Sequence, residues 1–213
     1  MDIRWQTPNG IRASVTDKEM LRNMKAAGCF HITVAPESGS KRVLNEIIKK
    51  NQDLNKVKDV VEYASAIGLR TAAYFVIGLP GETSKEVNKS IQFACKLARI
   101  GLDEVAFSNF IPLPGSELYT KIVEKGNGKV DLKHLISIAD LKTSVSWSEH
   151  ISSRELQKLR NKAYFLFFFV KIVYHPIRFL KIILNVLTKN EELKTERTLI
   201  TFLKRFKNTV FHQ

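Results

Sequence analysis

The sequence predicts an α/β chain: an open set of about four parallel strands with helices packed outside it, followed by a C-terminal helical extension. Three observations lead there. First, an apparently helical stretch ends in glycine three times, and an apolar run follows at once: Gly28 then Cys29 to Ala35, Gly68 then Leu69 to Ile77, Gly101 then Leu102 to Ile111. Glycine just past a helix end takes the left-handed conformation cheaply, and a short β-rich apolar run after it reads as a buried strand. Second, these glycines lie 40 and 33 residues apart, room for one strand and one crossover helix, so the strands should run parallel. Third, helix-start signals fall between the runs.

Taken in order, Thr16 with Glu19, Thr83 with Glu86 and Ser152 with Glu155 have capping-box spacing, in which a hydroxyl and a carboxylate each satisfy an orphan backbone donor. Between Asp53 and Ala66, Leu54, Val57, Val60, Val61 and Ala64 recur at helical spacing. After Thr83 the residues Val87, Ile91, Ala94, Cys95 and Ala98 share one face, which makes Cys95 a core residue. Beyond Ile111 the theme breaks. A short helix is expected over Glu117 to Glu124, then a Gly126-Asn127-Gly128 turn and an unassigned piece ending near Trp147.

From Ser152 the pattern is continuous helix. Ala163 to Val170 is apolar all round, but Lys171, His175, Pro176, Arg178 and Lys181 interrupt it well before the ~20 residues that span a bilayer. From Ile177, Arg178, Lys181, Asn185 and Lys189 form a narrow polar stripe beside a broad apolar face. That suits an interfacial helix, or one buried against a partner. The competing expectation is that the helices cover the open side of the chain's own sheet, with Phe165, Phe167, Phe168 and Phe169 as core. Three regions follow: residues 1–116, a connecting segment 117–150, and a basic amphipathic extension 151–213.

Composition narrows the function classes. The chain has 213 residues, 44% hydrophobic and 26% charged, which fits a globular domain and not a disordered or low-complexity one. Two cysteines, Cys29 and Cys95, exclude a disulfide scaffold or a self-contained four-cysteine metal site. They suit a reducing cytoplasm, and residues 1–10 hold no apolar run of signal-peptide length. Of the net charge of +13, most sits at one end: residues 151–213 carry 13 Lys+Arg against 4 Asp+Glu. Such a tail is either a solvated face or an element with an anionic partner, a membrane surface being expected over nucleic acid.

In parallel α/β folds, ligands bind at the carboxyl ends of strands. The first inferred strand ends in Ala35-Pro36-Glu37-Ser38-Gly39-Ser40, offering a carboxylate and two hydroxyls beside a glycine that allows close approach; equally, Ser38 or Ser40 caps a helix there. The second ends in Phe75-Val76-Ile77-Gly78-Leu79-Pro80-Gly81-Glu82-Thr83, whose glycines leave backbone groups open to a flat ligand while Glu82 binds the loop's amides. The third ends in Asn109-Phe110-Ile111-Pro112-Leu113-Pro114-Gly115-Ser116, stiffened by proline.

Together, PNGIR near the start, AGCFHITVAPESGSKRVLNEIIKK, YFVIGLPGET and NFIPLPGSELY resemble the radical S-adenosylmethionine superfamily, especially the branch whose members often carry an N-terminal cobalamin-binding domain. The resemblance covers residues 3–120. It implies a partial (β/α) barrel whose rim binds S-adenosylmethionine. By that analogy Glu37 and Ser38 contact the ribose or methionine end, with Lys49 or Lys50 a further candidate for the methionine carboxylate. Ile77 and Gly78 present backbone to adenine with Glu82 bracing the loop, and Asn109, Ile111 and Pro112 form the other adenine wall.

In the family a reduced 4Fe–4S cluster cleaves the sulfonium, and the protein positions the groups. Members hold that cluster with a CxxxCxxC loop after the first strand, and the methionine amino group with a Gly-rich acidic segment after the second. This sequence contains neither, and Ile3 to Gln6 looks like the family's third strand. Three thiolates are needed to leave one iron free. The expectation is therefore the C-terminal part of a radical S-adenosylmethionine enzyme, inactive alone, with another chain or domain supplying the cluster half. The alternatives are a non-catalytic nucleoside- or partner-binding remnant, or a module peripheral to the membrane through 151–213.

Overall fold

A computed structural model describes residues 3–125, 145–188 and 196–197. Four strands, β1 (Trp5–Ile11), β2 (Cys29–Glu37), β3 (Arg70–Ile77) and β4 (Glu104–Asn109), form one parallel sheet in the order β1-β2-β3-β4. A sequential order with right-handed crossovers places every connecting helix on the same face. That is the wall of a barrel, since a doubly wound sheet would reverse its strand order. The fold class is thus an open (β/α) sheet of four parallel strands.

The helices on that face are α1 (Lys18–Ala26), α2 (Leu54–Ala66) and α3 (Ser84–Arg99). Their Leu21, Val57, Val61, Val87, Ile91 and Ala94 share one core with Ile32, Val34, Ala73, Phe75, Ile77 and Phe107 of the sheet. The intervening strand residues His31, Thr33, Ala72 and Glu104 are buried as well. Ala72 is small enough for His31 and Glu104 to meet across it, Nε2 to Oε2 at 3.6 Å. Cys95 is half-buried against the core.

Two of the three expected caps take other forms. At α1 the N-cap is Asp17, whose carboxylate accepts the Met20 N–H at 2.7 Å, while the Thr16 hydroxyl donates to the Arg12 carbonyl. An ionised acceptor makes the stronger cap bond. At α3 the box is closed, Glu86 accepting the Thr83 N–H at 3.0 Å. Before the long helix α5 (Ser153–Tyr174), Ser152 accepts the Glu155 N–H, but the Glu155 carboxylate takes the Ser84 hydroxyl of α3 instead of turning back. One face of α5 packs on α3 and the β4 edge, where Tyr164 accepts the Phe107 N–H at 3.1 Å.

The chain then forms α4 (Glu117–Lys125) after β4, and α6 (Pro176–Thr188) after α5. The turn expected at residues 126–128 lies outside the described residues. Proline at the first position of α6 lacks only a donor that would have no helical partner. Here the structure corrects the expected core. Phe167 is fully buried and Phe168 partly so, whereas Phe165 and Phe169 are exposed at 69% and 54%. In α6 two members of the polar stripe face inward, Arg178 donating to Ser65 Oγ and to the Gly101 carbonyl and Asn185 buried on Glu196, while Lys181 is exposed. The cause is Asp103, fully buried before β4, which Arg70 meets at 2.8 Å, Lys171 at 3.7 Å and Arg178 at 4.0 Å. Lys189, the last residue of the stripe, lies outside the described residues.

Candidate active-site rim

The parallel register brings the three loop starts to one edge. Glu37 pairs with Phe75, two residues before Ile77, and Ile77 pairs with Asn109. Glu37 closes β2 with a φ of 63°, a left-handed conformation that costs a non-glycine residue of order 1–3 kcal/mol. Its half-buried carboxylate accepts Lys50 Nζ at 2.8 Å, and Lys50 also donates to the Ala35 carbonyl. Lys49 turns away to Glu117, which it bonds with Lys121. Of the two lysines, only Lys50 reaches the rim carboxylate.

Ser38 and Gly39 serve the scaffold. The Ser38 hydroxyl is fully buried, 3.2 Å from Ser90 Oγ of α3, and accepts the Ser40 N–H. A Cβ on Gly39 would stand 2.4 Å from the Lys89 carbonyl, so the close approach that this glycine permits is that of α3, not of a ligand.

The β3–α3 loop is clamped from both sides. Fully buried Glu82 accepts the Gly78 N–H at 2.7 Å and the Leu79 N–H at 3.3 Å. Burial pushes its carboxyl up to about 7, against those two backbone bonds. The neighbouring Glu86 goes the other way, held down at about 2 chiefly by its paired bonds to Arg42.

On the opposite side runs a segment that the sequence left unassigned. The Trp147 N–H donates to the Gly78 carbonyl at 3.0 Å, Ser148 Oγ donates to the Glu82 carbonyl, and Glu149 accepts the Gly81 N–H at 2.8 Å. Arg42 takes the Gly81 carbonyl. The backbone groups expected to lie open at Gly78 and Gly81 are therefore engaged by this chain itself. A Cβ on Gly78, whose φ is +80°, would meet Leu156 of α5 at 2.6 Å. The buried Trp147 indole N–H has no acceptor among the described residues. Ser146-Trp147-Ser148-Glu149 offered a signal in its alternating hydroxyls, but no periodicity placed it.

The third loop leaves β4 at Asn109, which is buried at 8% exposure; Pro112 is buried, Ile111 half-buried and Leu113 exposed. The Phe110 N–H donates to the Ile77 carbonyl at 2.8 Å, fixing this loop to its neighbour. The thiols are elsewhere. Cys29 opens β2 at the other edge of the sheet, its pKa raised by burial, and Cys95 lies on α3, raised likewise. Among the described residues no group of three His, Cys, Asp or Glu side chains could hold a metal ion.

Residues 4–94 match the family model described as "Radical SAM superfamily". The chain is 33% identical over 130 residues to the cytidylyl-2-hydroxyethylphosphonate methyltransferase of Streptomyces wedmorensis, an overlap of 58% of this chain and 24% of the relative. It is 28% identical over 179 residues to an uncharacterized methyltransferase of Pyrococcus horikoshii, covering 79% of this chain and 35% of the relative. The chain thus spans roughly a quarter to a third of the length of these relatives. Among solved structures it is similar to the radical S-adenosylmethionine methyltransferase TsrM of Kitasatospora setae, bound to cobalamin and a 4Fe–4S cluster: TM-score 0.47, 19% identity, 58% of this chain and 23% of that one.

Proposed function

Because residues 4–94 belong to the radical SAM superfamily, we propose that the rim of β2, β3 and β4 supplies the nucleoside-side wall of an S-adenosylmethionine site in a methyltransferase-like protein. The observation that carries this reading is the alignment of Glu37, Ile77 and Asn109 on one edge around a loop that Glu82 holds rigid. A site fixed before its ligand arrives spends less binding energy on ordering.

The residues fit a nucleoside through side chains more than through open backbone. Glu37 with Lys50 forms an acid–base pair that can exchange its internal bond for ribose hydroxyls or for the charged methionine end. Ile111 and Pro112 are the apolar walls for adenine, Ile77 fixes their loop by accepting the Phe110 N–H, and the Asn109 amide carries one donor pair and one acceptor for the polar edge of the base. Gly78 and Glu82 act by shaping the loop, and Ser38 by fixing the Glu37 turn to α3. Trp147, whose backbone N–H holds Gly78, has a buried indole N–H that is a further donor for a purine nitrogen. When bound, S-adenosylmethionine supplies an activated alkyl group.

The 4Fe–4S cluster does not fit these residues. Cys29 lies at the far edge and Cys95 on the outer helix layer, so these two thiols cannot meet at the rim to hold iron. Another chain or domain would supply that half of the site. Anaerobic reconstitution of this chain with iron and sulfide is expected to give no 4Fe–4S absorption, and its appearance would overturn that assignment.

Titration calorimetry with S-adenosylhomocysteine tests the wall itself. Heat of binding is expected, weakened about tenfold or more, some 1.4 kcal/mol, by Asn109→Ala and by Glu37→Gln, with circular dichroism unchanged. No heat, or affinity that ignores both substitutions, would refute the reading.

A further inference from the structure

We propose that the outward face of α5 and α6 docks this chain onto an anionic lipid surface. The inference stands apart from the nucleoside wall, because it uses residues that never approach the rim.

In α6, Ile177, Leu180, Ile183, Leu184 and Leu187 are all exposed, Ile177 at 82% and Leu187 at 71%. At 100° per residue they fill one arc of about 120°. The opposite arc, with Arg178, Ile182 and Asn185, is the one that touches the protein. This orientation is fixed by chemistry. Rolling the helix to hide its apolar side would strip Arg178 from Ser65, Gly101 and Asp103, and buried charges that lose partners are expensive.

On α5, Phe165, Phe169, Ile172 and Val173 are exposed as well, and the two phenyl rings stack at 6.3 Å. Clustered large apolar groups left exposed mark an interaction site.

What selects lipid is the order of chemistry along that line. Residues 154, 158, 162, 165, 169 and 172 follow one another at steps of three or four and so share one side of the helix. They read Arg154, Lys158, Lys162, then Phe165, Phe169, Ile172. The three cations are exposed, and among the described residues Lys162 bonds only the neutral Asn88 amide. On a helix lying along the surface, the cationic stretch can meet headgroup phosphates while the apolar stretch beside it seats at the acyl boundary. At the elbow, Tyr174 is exposed with the Arg99 guanidinium 5.4 Å from its ring, an aromatic–cation combination suited to the headgroup level. A second copy would instead confront the basic surplus of residues 151–213 with itself. No helix among the described residues is long and apolar enough to cross a membrane, so the contact would lie along the surface.

Co-sedimentation of the full chain with phosphatidylcholine vesicles, with and without phosphatidylglycerol, is the test. Binding is expected to the anionic vesicles and to weaken at high salt. The paired substitution Leu184→Glu with Leu187→Glu should reduce it tenfold or more at an unchanged melting temperature. Lys158→Glu with Lys162→Glu should remove only the preference for anionic lipid. Sedimentation that ignores the leucine substitutions would overturn the proposal. So would a concentration-dependent dimer that those substitutions split while the wild-type chain leaves vesicles unbound, since the face would then belong to a second copy.

Discussion

Two fully buried carboxylates sit at opposite ends of the sheet and are held in opposite ways. At the rim, Glu82 bonds two backbone N–H groups three and four residues away and directly contacts no cation. At the base, Asp103 accepts the Thr71 N–H and is approached by Arg70 of β3, Lys171 of α5 and Arg178 of α6. The first arrangement is local and shapes one loop. The second gathers cations from three elements and fastens the helical extension to the sheet. Burial of charge thus serves pre-organisation at one end and attachment at the other.

The largest effect should come from the base. Asp103→Ala leaves the buried Lys171 ammonium without its carboxylate, and breaking a buried pair from one side costs about 3–5 kcal/mol. Urea unfolding should show that loss, and a loss below ~1 kcal/mol would mean that the Asp103 carboxylate does not fasten the extension. At the rim, Glu82→Ala abandons two buried N–H groups and should cost about 1–3 kcal/mol. Glu82→Gln keeps an acceptor and should cost less than half of that. Equal losses would show that the rim carboxylate works through its charge, as the base does.

The two ends also differ in pH response. With Glu82 raised to about 7, the unfolded chain releases that proton first, so its contribution to stability falls as pH rises from about 4.5 to 7. Glu82→Gln should flatten this decline in melts across that window. Lys171, lowered to about 8 chiefly by burial, gives the reverse sign. The unfolded chain holds that proton longer, so stability should rise between about pH 8 and 10.5, and Lys171→Met should remove the rise.

How far these features were legible follows from what writes them. The αβ junctions at Gly28, Gly68 and Gly101 are local backbone requirements, and all three have positive φ. The strands and the rim followed from them. Glu82 as a loop brace was readable because both partners lie within four residues. Asp103 was not, since Lys171 and Arg178 join it from 68 and 75 positions away and no pattern links them. For the same reason the polar stripe of α6 could be seen but not its direction. Periodicity shows that a helix has two faces, and only a distant partner decides which one turns inward. The strap at Trp147 escaped because its bonds to Gly78, Gly81 and Glu82 come from an irregular segment with no period to detect.

The smallest effect is the most telling about the extension. Phe165 and Phe167 are two residues apart in one helix, yet only Phe167 is buried. Phe165→Ser should change stability by no more than about 0.5 kcal/mol, as surface substitutions do, when followed by urea unfolding. A loss of 2 kcal/mol or more, by the cavity scale for aromatic side chains, would mean that the ring packs within the chain in solution and that the outward face is smaller than it stands here. If the loss is absent, folding gives no reason for a phenyl group at that place, or for Phe169 beside it. Both rings are then free to serve a contact outside the chain, whereas Asp103 is accounted for entirely within it.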